Sequence, residues 1–189
     1  GLNQKSSEMA KKFYRTFCNG KLFLTNSKTA ELVKLSENAY RDVNIAFANE
    51  LSIICDKLDV NPWDLRRYSN YHPRVEILKP GCGVGGHCIA VDPWFIASEF
   101  PNHSKLIQTA RYVNTYKTEW VVKKVCKRAK ILKKTIKSDI NIGCMGLSYK
   151  PDVDDLRESP AEKIAVELTK RGLKVIACEP NIDKHKFLN

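Results

Sequence analysis

Between Gly81 and Gly86 four of six residues are glycine, and the segment continues to Asp92 as Gly81-Cys82-Gly83-Val84-Gly85-Gly86-His87-Cys88-Ile89-Ala90-Val91-Asp92. Backbone without Cβ atoms can take positive φ and lie close to whatever it faces. Gly81, Gly83 and Gly86 match the spacing G-x-G-x-x-G, and Val75-Glu76-Ile77-Leu78 before them has strand character. The context of a dinucleotide fingerprint fails all the same. Pro80 interrupts the approach, Pro93 punctuates the exit, and no acidic residue closes a second strand about twenty residues on. What remains is a short loop that joins pliant backbone to a thiol, Cys88, and a carboxylate, Asp92. Such a set suits covalent chemistry on a small bound molecule.

The 189 residues are enough for one good core or two small ones. No apolar run reaches the length of a membrane span and no signal peptide opens the chain, so no membrane partner is expected. Seven cysteines (Cys18, Cys55, Cys82, Cys88, Cys126, Cys144, Cys178) are widely spaced with no C-x-x-C pair. That pattern suits free thiols in a reducing cytoplasm and neither a disulfide framework nor a zinc site. The histidines, 72, 87, 103 and 185, form no metal-ligand spacing. Thirty-two basic against 21 acidic residues leave a net charge of +11, much of it between Lys117 and Lys137. Lysines and arginines interleaved with apolar positions read as a solvated helix face rather than a stripe for nucleic-acid phosphates. A cationic surface also favours an anionic metabolite such as a nucleotide diphosphate.

Helical spacing predicts a short amphipathic helix over residues 3–17, with Met9, Phe13 and Phe17 on one face. Lys21 to Thr25 reads as a strand. Asn26 or Ser27 caps a long helix whose Leu32, Leu35, Ala39, Val43, Ala46, Phe47, Leu51 and Ile54 are expected to face a core. Lys34, Asn38 and Arg41 form a polar ridge on another face, suited either to solvent or to a ligand. Asn61-Pro62 opens a helix to about Asn70, and His72-Pro73-Arg74 breaks it. Asp92-Pro93 has the form of an N-cap followed by proline at the first helical position, for a helix to about Phe100. A basic helix runs from Lys105 to about Lys134, long enough to connect domains or meet another subunit. After Ser138, the segment Asp139 to Met145 reads as a buried strand. Ser159-Pro160-Ala161-Glu162 is a capping box, Gly172 ends its helix, and Leu173 to Cys178 is a second strand. Strand, helix and strand make a βαβ unit and hence the opening of a parallel sheet. Two strands alone leave exposed edges, so a piece cut within its second domain is expected.

Several segments together resemble the NAD-dependent nucleotide-sugar 6-dehydrogenases, the UDP-glucose/GDP-mannose dehydrogenase family. They are Ala30 to Asn38 with Arg41 to Glu50, Tyr71-His72-Pro73-Arg74-Val75, Gly83 to Phe95, Gly146 to Pro151, and Asp154 to Pro160. They follow the family's order over almost the whole chain. The resemblance implies the tail of an N-terminal NAD-binding domain (residues 1–25), a mainly α middle domain with a long connecting helix (26–137), and the truncated start of a C-terminal, Rossmann-like α/β domain for UDP (138–189). It also implies a four-electron oxidation of a sugar C6 alcohol to a carboxylate with two NAD⁺. Cys88 matches the family's nucleophile, passing through a thiohemiacetal and a thioester. Lys34 matches its acid/base or oxyanion-stabilising lysine, Asn38 the residue holding the oxyanion or the hydrolytic water, and Asp92 the carboxylate that helps activate water. Arg41, His72, Arg74, Gly85 and Lys150 would contact substrate, and Arg157 the cofactor NAD. A homodimer or larger homo-oligomer is implied, because the arginine matching Arg74 can reach a neighbouring site.

Ala90-Val91 stands where UDP-glucose enzymes commonly carry Pro-Lys, while His87 and Asp92-Pro93-Trp94 resemble the branch acting on UDP-N-acetylmannosamine. The expected substrate is thus a UDP-N-acetylhexosamine, with the N-acetylglucosamine branch as alternative. A piece without an NAD domain is expected to be inactive in isolation, serving dimerisation or partial UDP-sugar binding.

Overall fold

The computed structural model describes residues 1–182 and Phe187; His185 lies outside them. The described chain is mostly helical with a small parallel two-stranded sheet. Its elements are α1 (Gln4–Tyr14), α2 (Ser27–Leu58), α3 (Pro62–Ser69), α4 (Asp92–Glu99), α5 (Lys105–Ile136), β1 (Asn141–Met145), α6 (Pro160–Lys170) and β2 (Lys174–Cys178). Local chemistry sets most of the helix starts. Asn3, Asn26, Asn61 and Ser159 each accept an orphan backbone N–H at the start of α1, α2, α3 and α6. Left-handed residues end the two 32-residue helices, Asp59 after α2 and Lys137 after α5.

The long helices α2 and α5 pack against each other, with α4 across both. Helix α5 also packs on α6, where Val122, Ile164 and Leu168 are buried together. On the other side of α6, Leu147, Ala165, Ala177 and Phe187 form a second small core against the sheet. Strands β1 and β2 pair in parallel from Asn141 opposite Lys174 to Met145 opposite Cys178.

Four expectations change. Lys21 to Thr25 forms no strand: it has no partner to pair with among the described residues, and Phe23 is exposed. Strand β1 is not buried but alternates exposed with half-buried residues, because only one face of a two-stranded ribbon is covered. On α2 the apolar stripe does not all face inward. Leu32, Phe47 and Ile54 are exposed, whereas Asn38, Asp42, Asn49 and Ser52 are buried, because α5 presents polar partners to Asp42, Asn49 and Ser52 and α4 presents Asp92 to Asn38. The basic stretch is likewise not wholly solvated, since Lys117 is buried against Ser52.

Candidate functional site

The Cys88 carbonyl accepts two backbone N–H groups, from Val91 at 3.0 Å and Asp92 at 2.7 Å, and this turn leads directly into α4. Asp92 was expected as the N-cap; it lies instead inside the first turn, Val91 occupies the cap position, and no side chain caps the helix. The Asp92 carboxylate is free for another partner. Asn38 of α2 takes it, donating from Nδ2 to Oδ2 at 2.6 Å. Asn38 is only 4% exposed, so this hydrogen bond fixes the loop that carries Cys88 onto α2. Cys88 itself is a half-buried free thiol.

The other expected residues are placed around this group rather than in it. One turn before Asn38, the exposed ammonium of Lys34 meets Glu37 at 3.4 Å. Arg41 is exposed, which splits the polar ridge: Asn38 turns in while its neighbours stay in water. His72 and Arg74 sit in the exposed turn after α3, where the Arg74 N–H donates to His72 Nδ1 at 3.3 Å. Lys150 is exposed, its ammonium over the Tyr149 ring. No hydrogen bond or ion pair among the described residues joins Lys34, Arg41, His72, Arg74 or Lys150 to Asn38 and Asp92.

The glycines of the loop serve a close approach within the protein. Gly86 has φ +86° and donates its N–H to the Arg157 carbonyl at 2.9 Å. A Cβ on Gly85 would come within 2.7 Å of Tyr149 Cβ and 2.8 Å of the Glu158 carbonyl oxygen. One on Gly86 would meet the Tyr149 ring at 2.8 Å. The loop is therefore a seam between the helical body and the segment 146–160. Charge continues the seam: His87 Nδ1 lies 3.9 Å from Asp155, whose carboxylate accepts from both Nε and Nη2 of Arg157. The Arg157 hydrogen bonds hold the Asp155 carboxyl down at about 2. The Arg157 guanidinium is pushed further up, chiefly by Asp155 and, more weakly, by the fields of Tyr149 and Cys88.

Beneath the loop runs a polar ladder that sequence reasoning missed. Asp42 of α2 accepts from Arg111 at 2.6 Å and from Asn114 at 2.8 Å. Asn49 Nδ2 donates to Asn114 at 2.9 Å, and its oxygen accepts the Gly81 N–H at 2.8 Å. Thr118 adds a hydrogen bond to the Cys82 carbonyl at 2.8 Å. The root of the loop is thus pinned from both long helices. Burial pushes the Asp42 carboxyl above its usual range even with Arg111 beside it, and Asp42 Oδ2 and Arg111 Nε have no hydrogen-bond partner among the described residues. The signal was present as polar residues at helical spacing on both helices, Asn38-Asp42-Asn49-Ser52 and Arg111-Asn114-Thr118.

A cavity of about 870 Å³ opens between α4, α5 and α6, lined among others by Val84, Trp94, Thr118, Glu158 and Lys163; Cys88 is not in its wall. Among the described residues no group of three His, Cys, Asp or Glu is placed to hold a metal ion, and no helix is long and apolar enough to cross a membrane.

Two models of a single family match the chain. Residues 28–116 match the central domain of the UDP-glucose/GDP-mannose dehydrogenase family, and residues 143–189 its UDP binding domain. A UDP-N-acetyl-D-mannosamine dehydrogenase of Campylobacter jejuni is 54% identical over 185 residues, covering 96% of this chain and 44% of that protein. An NDP-N-acetyl-D-galactosaminuronic acid dehydrogenase of Ralstonia nicotianae is 50% identical over 96% of this chain and 42% of its own length. The solved UDP-N-acetyl-mannosamine dehydrogenase of Staphylococcus aureus superposes with a TM-score of 0.87 at 44% identity, over 100% of this chain and 44% of that one. The chain spans less than half the length of these relatives.

Proposed function

Given that the chain belongs to the UDP-glucose/GDP-mannose dehydrogenase family, we propose that it serves the NAD-dependent oxidation of UDP-N-acetyl-D-mannosamine at C6 to the uronate. The observation that carries this reading is the Asn38–Asp92 hydrogen bond, which holds an amide and a carboxylate at the turn bearing Cys88. The relatives named for N-acetylated sugars support the substrate class, and UDP-N-acetylglucosamine is the alternative within it.

Oxidation of the C6 alcohol gives an aldehyde. The Cys88 thiolate adds to its carbon, the carbonyl oxygen takes the charge and then a proton, and a thiohemiacetal results. Loss of the remaining C6 hydride, with the hydroxyl proton passing to water, leaves a thioester, and water displaces the thiol to give the carboxylate. The Asn38 amide and, when it reaches in, the Lys34 ammonium stabilise the oxyanion. Asp92 takes the proton from the attacking water, its carboxylate oriented by Asn38. Arg41, His72, Arg74 and Lys150 are assigned to the UDP-sugar, and Gly85, packed under Tyr149 and Pro160, to it through its backbone alone. For a dinucleotide the described residues fit only a rim: Arg157 and Lys150 are exposed cations at the seam, while Gly83, Gly85 and Gly86 are closed over by Tyr149 and Pro160 and cradle no phosphate. NAD, when bound, supplies the hydride acceptor. A second copy of the chain is assigned to the exposed face of α2, where Val33, Tyr40, Phe47 and Ile54 recur every seven residues.

The test is protection of a thiol. Alkylation of Cys88, followed by peptide mass spectrometry, should slow about fivefold or more with saturating UDP-N-acetylmannosamine, a magnitude expected when a ligand covers a nucleophile, and much less with UDP-glucose. Equal alkylation with and without the N-acetylated sugars contradicts the proposal.

A further inference from the structure

A second cavity, of about 600 Å³, lies away from the Cys88 turn, between the C-terminal half of α2, the middle of α5 and the root of the glycine loop. Ser52, Asp56, Cys82, Lys117 and Trp120 are in its wall. Lys117 is unusual among the described lysines. It is 5% exposed, its Nζ donates to Ser52 Oγ at 2.6 Å and sits 4.2 Å from the centre of the Trp120 ring. No carboxylate lies within ion-pair distance of it among the described residues. Asp56, in the same cavity wall, is taken by Lys124 at 2.6 Å.

We infer that Lys117 is a covalent modification site, an amine whose cavity admits small acyl electrophiles of the acyl phosphate class. An ammonium removed from water without a countercharge favours its neutral form, and the neutral amine is the nucleophile. The direction of its pKa agrees: burial pushes Lys117 down, more than the fields of Asp56 and Cys82 pull it up. The thiol sharing the cavity does not compete. Burial pushes Cys82 up, so it stays protonated and a weak nucleophile. The Lys117 lone pair attacks the acyl carbon, the carbon–oxygen bond to phosphate breaks, phosphate leaves with the electron pair, and a proton passes from nitrogen to water. The product is an amide. It replaces the amine over Trp120 with an amide that can no longer take up a proton and places an acyl group beside Gly81 and Cys82, at the root of the loop that leads to Cys88.

Acetyl phosphate is the probe, added in trace amount to the folded chain at neutral pH, with each lysine quantified by peptide mass spectrometry. Lys117 should be acetylated about fivefold faster than the exposed Lys123 and Lys127 on the same helix, as expected for an amine whose neutral fraction is raised by burial. In concentrated urea the ratio should fall to about one, because the environment that distinguishes Lys117 is gone. A rate for Lys117 at or below that of Lys123 and Lys127 in the folded chain overturns the inference, as does a ratio that survives unfolding. Neither outcome depends on the dehydrogenase reading, which is tested at Cys88.

Discussion

Asn38 does two jobs with one amide. Its Nδ2 group fixes Asp92, and through Asp92 it fixes the turn at Cys88. Truncation to alanine strands a carboxylate oxygen that is partly cut off from water, so Asn38→Ala should cost about 1–3 kcal/mol of unfolding free energy, read by urea denaturation. Asn38→Asp should be worse at neutral pH, because two carboxylates at hydrogen-bond distance cannot both ionise. Its loss should shrink as the pH is lowered and one of the pair takes up a proton. A loss independent of pH would argue that Asp92 has another partner. The aspartate also shows why a sequence signal can be read correctly in place and wrongly in role. Asp92-Pro93 does mark the start of a helix, but the helix begins one residue early, and the side chain goes to a partner more than fifty residues away.

At the scale of elements the α2–α5 contact decides the architecture, and its core is polar. Arg111→Met should cost about 3–5 kcal/mol, since it leaves Asp42 buried beside Asn114 with no countercharge. Asp42→Leu in the same chain should recover much of that loss, which a double-mutant cycle by thermal or urea unfolding would measure. Failure of the second change to help would mean the ladder is held by Asn49 and Asn114 alone. Gly85→Ala tests the seam. The added methyl meets a backbone oxygen as well as Tyr149, and backbone cannot swing aside. A destabilisation of about 1–3 kcal/mol with faster proteolysis near residues 146–160 is expected; wild-type behaviour would contradict the packing described. Helix starts were legible in the sequence because caps are local: Asn26, Asn61 and Ser159 act on N–H groups two or three residues away. The inward face of α2 was not. Which stripe is buried depends on Arg111, Asn114 and Lys117, partners 65 to 72 residues distant, and neither helix shows the other's complement. The glycines misled for a related reason, since absent Cβ atoms announce a close approach but not what approaches.

For the whole molecule, the exposed Val33, Tyr40, Phe47 and Ile54 give α2 an apolar face with a seven-residue repeat. Sedimentation should find a dimer or larger assembly, and Phe47→Glu should convert it to monomer without loss of helix content. A monomeric wild-type chain would remove the second copy from the account. The central claim is that the Cys88 sulfur adds to a C6 aldehyde, and it needs no cofactor to be tested. Carbon NMR of UDP-N-acetylmannosamine 6-aldehyde labelled at C6 should show, with the folded chain, a sulfur-bound tetrahedral carbon that is absent with Cys88→Ala. Only free and hydrated aldehyde in both samples would contradict it.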